Sequence, residues 1–282
     1  MNIRIVSDSA SDIFAFDGVN YASVPLKIIT SEKQYVDNAD LDVFGMTEDL
    51  KKYKGESKSS CPNVAEWNEA FQGCDAVFCV TITRNLSGSY NSATLAVRDF
   101  IEEDPSRKGY VIDTLTAGPE CALIVDKLAA LIAEGKSFEE IKKEIIEYKN
   151  KTHLVFCLES LRNLANNGRI NPAIAKLTGV LGIRMVGKAS LEGTLEVVSK
   201  IRGSEKAVVE TYLKMKEHGY RGQRVRIHHC KSLANAEKLR DIIVDNYPAA
   251  DVSIHTTGAL CSFYAEEGGY LVGYEGSPKE LK

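Results

Sequence analysis

A strand, a turn of small residues and the start of a helix follow one another within residues 76–103. The apolar run Ala76–Thr83 is typical of a buried strand, and a helical pattern begins at Ser89. The turn between them carries Ser87 and Gly88. Backbone N–H groups at the start of a helix, together with the positive end of its dipole, favour an anion. This stretch therefore predicts an α/β unit with an anion site beside Ser87, Gly88 and Ser89.

A second helix start of the same kind lies upstream. Asn63, followed three residues later by Glu66, is typical of a capping box, and the hydroxyl-bearing Ser59 and Ser60 precede it. Two such helix starts on either side of one strand indicate a shared carboxylate or phosphate. The residues by themselves leave both kinds of ligand open.

Strand and helix candidates alternate through the first half, which predicts an α/β fold with a mainly parallel sheet. Its strand candidates are Ile3–Ser7, Val24–Ile29, Ala76–Thr83 and Gly109–Asp113. The second half mixes a hairpin-like connection between Val180–Val186 and Thr194–Ile201 with crossovers, which predicts a mixed sheet. We expect two α/β domains, residues 1–152 and 153–282, with the segment 18–40 pairing with either sheet.

Composition narrows the class of protein. The net charge of −4 divides into −9 for residues 1–150 (16 Lys and Arg, 25 Asp and Glu) and +5 for residues 151–282 (19 and 14). The cations are scattered without interleaved aromatic residues, so we expect no nucleic-acid binding.

The seven cysteines form no C-x-x-C pair, which predicts free thiols and no metal site. An early Asp8 and the lack of a long apolar run predict a cytoplasmic protein without stable membrane insertion.

Two loop residues and one serine have more than one interpretation. Arg169, in a sharp loop before Pro172, is suited to an anion or an acidic partner. His255 ends a strand candidate where a turn would expose it. No glycine stands two residues before Ser87, so the G-x-S-x-G elbow of many hydrolases is absent. Helix capping alone also explains this serine. A serine-dependent acyl hydrolase and a binder of a phosphorylated metabolite remain alternatives.

The chain resembles the DegV family along nearly its whole length. Ser7–Asp12 is similar to that family's opening D-S-x-x-D segment, Ser59–Pro62 to its T-S-x-P motif and Leu86–Tyr90 to its L-S-G-T-Y motif. Further similar segments are Leu158–Leu161, Asn167–Ile170, Lys200–Gly203 and His255–Thr256. The turn after His255 departs from the family pattern, because it lacks the G-P-G backbone.

The resemblance implies two α/β domains with one long-chain fatty acid, such as palmitate, held between them. It implies that the hydroxyls of Ser59 and Ser87 bind the carboxylate. We therefore expect the carboxylate-binding residues to be Ser59, Ser60, Ser87, Gly88 and His255.

The same resemblance implies a division of labour with a partner. Arg169 is expected to face a separate ATP-dependent fatty acid kinase, which would phosphorylate the bound acid for lipid metabolism. The chain itself would then be a bacterial lipid-binding protein and not an enzyme. It would need no cofactor and no metal, and at most a transient contact with a membrane.

Overall fold

The computed structural model describes residues 1–175 and 182–279. Its strands are β1 (Ile3–Asp8), β2 (Tyr21–Val24), β3 (Lys27–Ile29), β4 (Gln34–Val36), β5 (Lys58–Ser60), β6 (Ala76–Thr81), β7 (Lys108–Asp113), β8 (Thr152–Leu158), β9 (Ile183–Ala189), β10 (Leu195–Arg202), β11 (Val225–His229), β12 (Val252–Thr256) and β13 (Tyr270–Glu275). Its helices are α1 (Val43–Lys52), α2 (Val64–Ala70), α3 (Ser89–Glu103), α4 (Pro119–Ala133), α5 (Phe138–Lys149), α6 (Arg162–Asn166), α7 (Pro172–Ala175), α8 (Ser204–Glu217), α9 (Leu233–Asn246) and α10 (Ala259–Ala265). None of the described helices is long and apolar enough to cross a membrane.

The first half contains a four-stranded parallel sheet in the order β2-β1-β6-β7. All six residues of β6 are buried, because helices cover both faces of the sheet. Apolar residues of α4 and α5 share one core cluster with this sheet, and those of α2 and α3 share another. The capping box at the start of α2 is formed by Asn63 and Glu66. The predicted parallel α/β architecture of this half is confirmed.

The second half contains a mixed six-stranded sheet in the order β10-β9-β8-β13-β11-β12. Only β11 and β12 pair in parallel; the other neighbours are antiparallel. Val155 and Cys157 of β8 belong to the core cluster that includes α8 residues. The predicted strand Val180–Val186 starts outside the described residues and is observed from Ile183 onward as part of β9. The predicted mixed sheet is confirmed, while the division of the chain near residue 152 stays a prediction.

The segment 18–40 is divided between two sheets, and the predicted single strand Val24–Ile29 is wrong. Pro25 separates β2, which joins the parallel sheet, from β3, which does not. Proline has no N–H to donate and a fixed φ, so it interrupts a strand at this position. The strands β4, β3 and β5 form a separate antiparallel sheet, and its edge strand β5 carries Ser59.

Candidate functional site

A largely apolar cavity lies between the two halves of the chain. The cavity and the open space at its mouth together occupy about 650 Å³. Its polar lining side chains are Ser59, Ser87, Arg169 and Tyr264. The other lining residues are Leu26, Ile82, Leu86, Ala117, Leu154, Phe156, Leu158, Leu164, Leu195, Leu260, Cys261, Ala265 and Leu271. A ligand that fills this cavity must therefore be mostly apolar with one polar group.

The turn after β6 presents Ser87 to this cavity. The backbone N–H groups of Leu86 and Ser87 both donate to the carbonyl of Thr83, which reverses the chain. The Ser87 Oγ accepts a hydrogen bond from the N–H of Ser89 at 3.2 Å, so its own proton remains available for an anion. Gly88 is exposed beside this serine and does not line the cavity. The structure thus brings Ser87, but not Gly88, to the cavity wall.

The side chain of Ser89 faces away from the cavity, whereas the sequence predicts an anion site beside both Ser87 and Ser89. Its hydroxyl donates to Asp8 Oδ2 at 2.6 Å, and both residues are buried. The N–H of Ile82 donates to the same carboxylate oxygen at 2.9 Å. Asp8 ends β1, so this carboxylate ties the strand to the start of α3 and fixes the turn that carries Ser87.

Ser59 lies on β5, directly opposite Ile28 of β3. Its Oγ is 2.6 Å from the Oη of Tyr264 on α10, which forms a hydroxyl pair in the cavity wall. Burial raises the pKa of this tyrosine, which remains a neutral donor. Ser60 does not line the cavity; its hydroxyl donates to the carbonyl of Cys61, because successive residues of a strand face opposite sides.

The helix α10, which the sequence pattern did not reveal, brings Tyr264 to the cavity. Its first N–H groups are held by carboxylates of the first half of the chain. The N–H of Gly258 donates to Asp12 Oδ1 at 2.8 Å, and those of Ala259 and Leu260 donate to Asp37 at 2.6 and 3.1 Å. Carboxylates at a helix N-terminus satisfy its free donors and its dipole. The two aspartates therefore fix α10 against the first half.

Arg169 is placed by the C-terminal turn of α6. Gly168 adopts a φ of 71°, its N–H donates to the carbonyl of Ala165, and the N–H of Arg169 donates to that of Leu164. This pair of bonds is the Schellman motif that ends many helices. The left-handed backbone of Gly168 therefore explains the sharp loop that the sequence predicts before Pro172.

The sequence led us to expect that Arg169 faces a partner; the structure places its side chain in the cavity wall. It is half-buried and lines the cavity, with its Nε donating to the carbonyl of Leu86 at 2.8 Å and its Nη1 to that of Asn167 at 2.5 Å. Its charge also lowers the pKa of Tyr264, against the larger effect of burial. Arg169 is thus bonded to the turn of Ser87 and lines the same cavity as the pair formed by Ser59 and Tyr264.

His255 lies away from the cavity, and its expected place beside the carboxylate is not observed. It is exposed on the edge strand β12, where its Nε2 lies 2.8 Å from Ser253 Oγ. The neighbouring His228 instead reaches the first half of the chain, with its Nδ1 2.7 Å from the buried Asp12 Oδ2. No histidine, lysine, aspartate or glutamate occurs among the described residues that line the cavity.

A family comparison decides which proteins this chain is related to. The sequence profile of the DegV family matches residues 2–275 of this chain. The family is described as an uncharacterised protein family. The chain belongs to the DegV family. A DegV domain-containing protein of Streptococcus pneumoniae is 43% identical over 279 residues, which cover 98% of this chain and 99% of the relative.

Two solved structures of DegV proteins resemble this one closely. A Streptococcus pneumoniae fatty acid kinase (Fak) B3 protein loaded with linoleic acid gives a TM-score of 0.96 at 42% identity, covering 98% of this chain and 100% of that one. A DegV family protein from Eubacterium eligens loaded with heptadecanoic acid gives 0.95 at 42% identity, with the same coverages. The family and the α/β fold expected from the sequence are confirmed.

The Asp8 carboxyl of this DegV protein gives a testable pH dependence. Burial raises its pKa to about 7, against the opposing hydrogen bonds from Ser89 and Ile82. Because the pKa of Asp8 is raised in the folded protein, its contribution to stability is fully present below its ordinary pKa and is lost as pH rises from there through about 7. From pH 6 to pH 8, wild type should lose about 1.4 kcal/mol of unfolding free energy relative to Asp8→Asn.

Denaturant unfolding of both proteins at pH 6 and pH 8 measures this difference. The pKa of Asp37 is also raised to about 7, mainly by burial, but its contribution is common to both proteins and cancels in the comparison. A difference between wild type and variant that is the same at both pH values would contradict the raised pKa of Asp8.

Proposed function

We propose that this protein binds one long-chain fatty acid in the cavity, with its carboxylate at Ser59, Ser87, Tyr264 and Arg169. One observation carries the proposal: the cavity wall is apolar except for four polar side chains, of which Ser59 pairs with Tyr264 and Arg169 bonds the turn that carries Ser87. An amphiphile with a single charged end matches this distribution of polar and apolar surface.

The chemistry of the polar group suits a carboxylate. Ser59, Ser87 and Tyr264 carry neutral hydroxyls, and Arg169 is the one cation among the described lining residues. Hydrogen bonds to a charged group contribute about 1.5–3 kcal/mol each. The acyl chain adds about 0.8 kcal/mol for each CH₂ buried against the leucines of the wall. A phosphorylated metabolite would leave most of this apolar surface without a partner.

The ligands of related proteins support the same proposal. The Streptococcus pneumoniae neighbour holds linoleic acid and the Eubacterium eligens neighbour holds heptadecanoic acid. The two acids differ in unsaturation, so the relatives support a long acyl chain without singling out palmitate.

We further propose that the bound acid is presented to a separate ATP-dependent fatty acid kinase. The Streptococcus pneumoniae neighbour is described as a fatty acid kinase B3 protein, and this chain matches it along its full length. Gly88 is exposed next to Ser87, so the carboxylate end of the cavity lies near the protein surface. All seven cysteines are free thiols, as expected in the reducing cytoplasm, where such a kinase would find ATP.

The decisive experiment is mass spectrometry of an organic extract of the purified protein. We expect about one fatty acid per chain, because a largely apolar cavity retains a lipid from the expression host. A parallel analysis of the aqueous phase tests for a phosphorylated metabolite. A well-folded sample that yields no lipid, and that takes up none when a fatty acid is added, would contradict the proposal.

A further inference from the structure

The cavity follows the strand β8 away from the polar group. Successive side chains of a strand face opposite sides, and Leu154, Phe156 and Leu158 all face the cavity. Phe156 and Leu158 share an apolar cluster with Ile170, which is next to Arg169, and Tyr264 packs against this cluster. Leu154 is not part of it, so an acyl chain whose carboxylate lies at Tyr264 and Arg169 passes Phe156 and Leu158 before it reaches Leu154.

The same face of β8 becomes polar immediately beyond Leu154. The next residue on this face is Thr152, whose hydroxyl donates to Glu120 Oε1 at 2.8 Å. Lys279 Nζ donates to the same oxygen at 2.8 Å. Glu120 is fully buried, and its Oε2 has no hydrogen-bond partner among the described residues. A terminal methyl group placed here would lie against a buried carboxylate and leave it without a polar partner on that side, which is unfavourable.

Leu154 lies in the wall between the acyl cavity and a second pocket. That pocket is open and polar, and Leu154 lines both; Glu120, His153 and Lys188 line only the second. The side chain of Leu154 is 2% exposed, so it fills its place in the wall.

The first turn of α4 closes the wall around Leu154. Gly273 of β13 pairs directly with Leu154, and a Cβ there would come within 2.4 Å of the carbonyl carbon of Pro119. The strand and the helix backbone therefore touch at this point and leave no space beside the leucine. The end of the cavity depends on this one side chain.

We propose that Leu154 is the specificity-determining residue that sets the longest acyl chain the protein accepts. This inference rests on the proposed fatty-acid binding and adds an upper limit on the length of the acyl chain. An acyl chain that ends at Leu154 buries every CH₂ against apolar groups. Each further carbon must displace Leu154 toward Glu120 and the open pocket, so affinity stops rising with chain length.

The test is the affinity of wild type, Leu154→Ala and Leu154→Phe for saturated fatty acids that lengthen in steps of two carbons. Leu154→Ala should move the optimum about two carbons upward and tighten binding of that longer acid about tenfold, from the added CH₂ burial. Leu154→Phe should move the optimum to shorter acids. The opposite shifts keep the test valid if one variant folds poorly.

The matched control is Leu158→Ala, which removes the same side chain from the same strand and cavity near the carboxylate. It should weaken all acids by a similar factor and leave the optimum length unchanged. An optimum that Leu154→Ala and Leu154→Phe leave unchanged, in protein that binds fatty acids normally, would overturn the length limit alone. Wild type that binds no fatty acid of any length would overturn the proposed function, and this inference with it.

Discussion

Replacing both Ser59 and Ser87 by alanine should weaken fatty-acid binding by two to four orders of magnitude. Each serine can donate one hydrogen bond to the carboxylate, and such a bond to a charged group contributes about 1.5–3 kcal/mol. Two lost bonds amount to about 3–6 kcal/mol, with a factor of ten in affinity for each 1.4 kcal/mol. Both side chains line the cavity and donate to the same carboxylate, so their contributions are coupled and the expected loss spans this whole range.

Displacement of a fluorescent fatty acid from delipidated protein measures this loss. Ser60→Ala is the matched control, because Ser60 follows Ser59 on β5 but does not line the cavity. Its affinity should equal that of wild type. A double variant that binds as tightly as the control would show that the carboxylate lies elsewhere.

The two serines could be found from the sequence because each lies at or near the start of a helix that follows a recognisable local pattern. The strand, turn and helix around Ser87 are observed, and α3 spans Ser89–Glu103 as the pattern indicates. Hydrophobic periodicity and capping residues act over a few neighbouring positions, so they can be read without knowing the rest of the fold. The parallel and mixed sheets were predictable for the same reason.

Tyr264 could not be found in this way, because its role depends on residues far apart in the chain. It lies 205 positions from Ser59, and the helix that carries it has only seven residues. The N-terminus of that helix is held by Asp12 and Asp37, which no local pattern connects with it. His255 was expected at the carboxylate from a motif alone; its side chain is exposed on β12, whereas the turn after it leads to α10 and the cavity-lining Tyr264.

Arg169→Ala should reduce acyl-phosphate formation more strongly than it reduces fatty-acid affinity. The guanidinium lines the cavity, so its loss should weaken binding of the carboxylate about tenfold or more. The acyl phosphate carries additional negative charge, and the other polar groups of the site, Ser59, Ser87 and Tyr264, are neutral donors. Arg169 is therefore the residue of this site best able to stabilise the phosphorylated head group.

The two effects separate when a reconstituted reaction with fatty acid kinase and ATP is run at saturating fatty acid, where a loss of affinity alone no longer limits the rate. We expect the rate of Arg169→Ala to stay well below that of wild type under these conditions. Arg169→Lys should recover part of the rate, because it restores the charge without the Nε bond to Leu86.

Arg162→Ala is the matched control: this arginine of α6 is exposed, pairs with Glu266 at 2.9 Å and does not line the cavity. It should behave as wild type in both assays. If Arg169→Ala reaches the wild-type rate at saturating fatty acid, Arg169 only binds the carboxylate. A residue that stabilises the phosphorylated head group would still be needed when every site is filled, so its loss would keep the rate low.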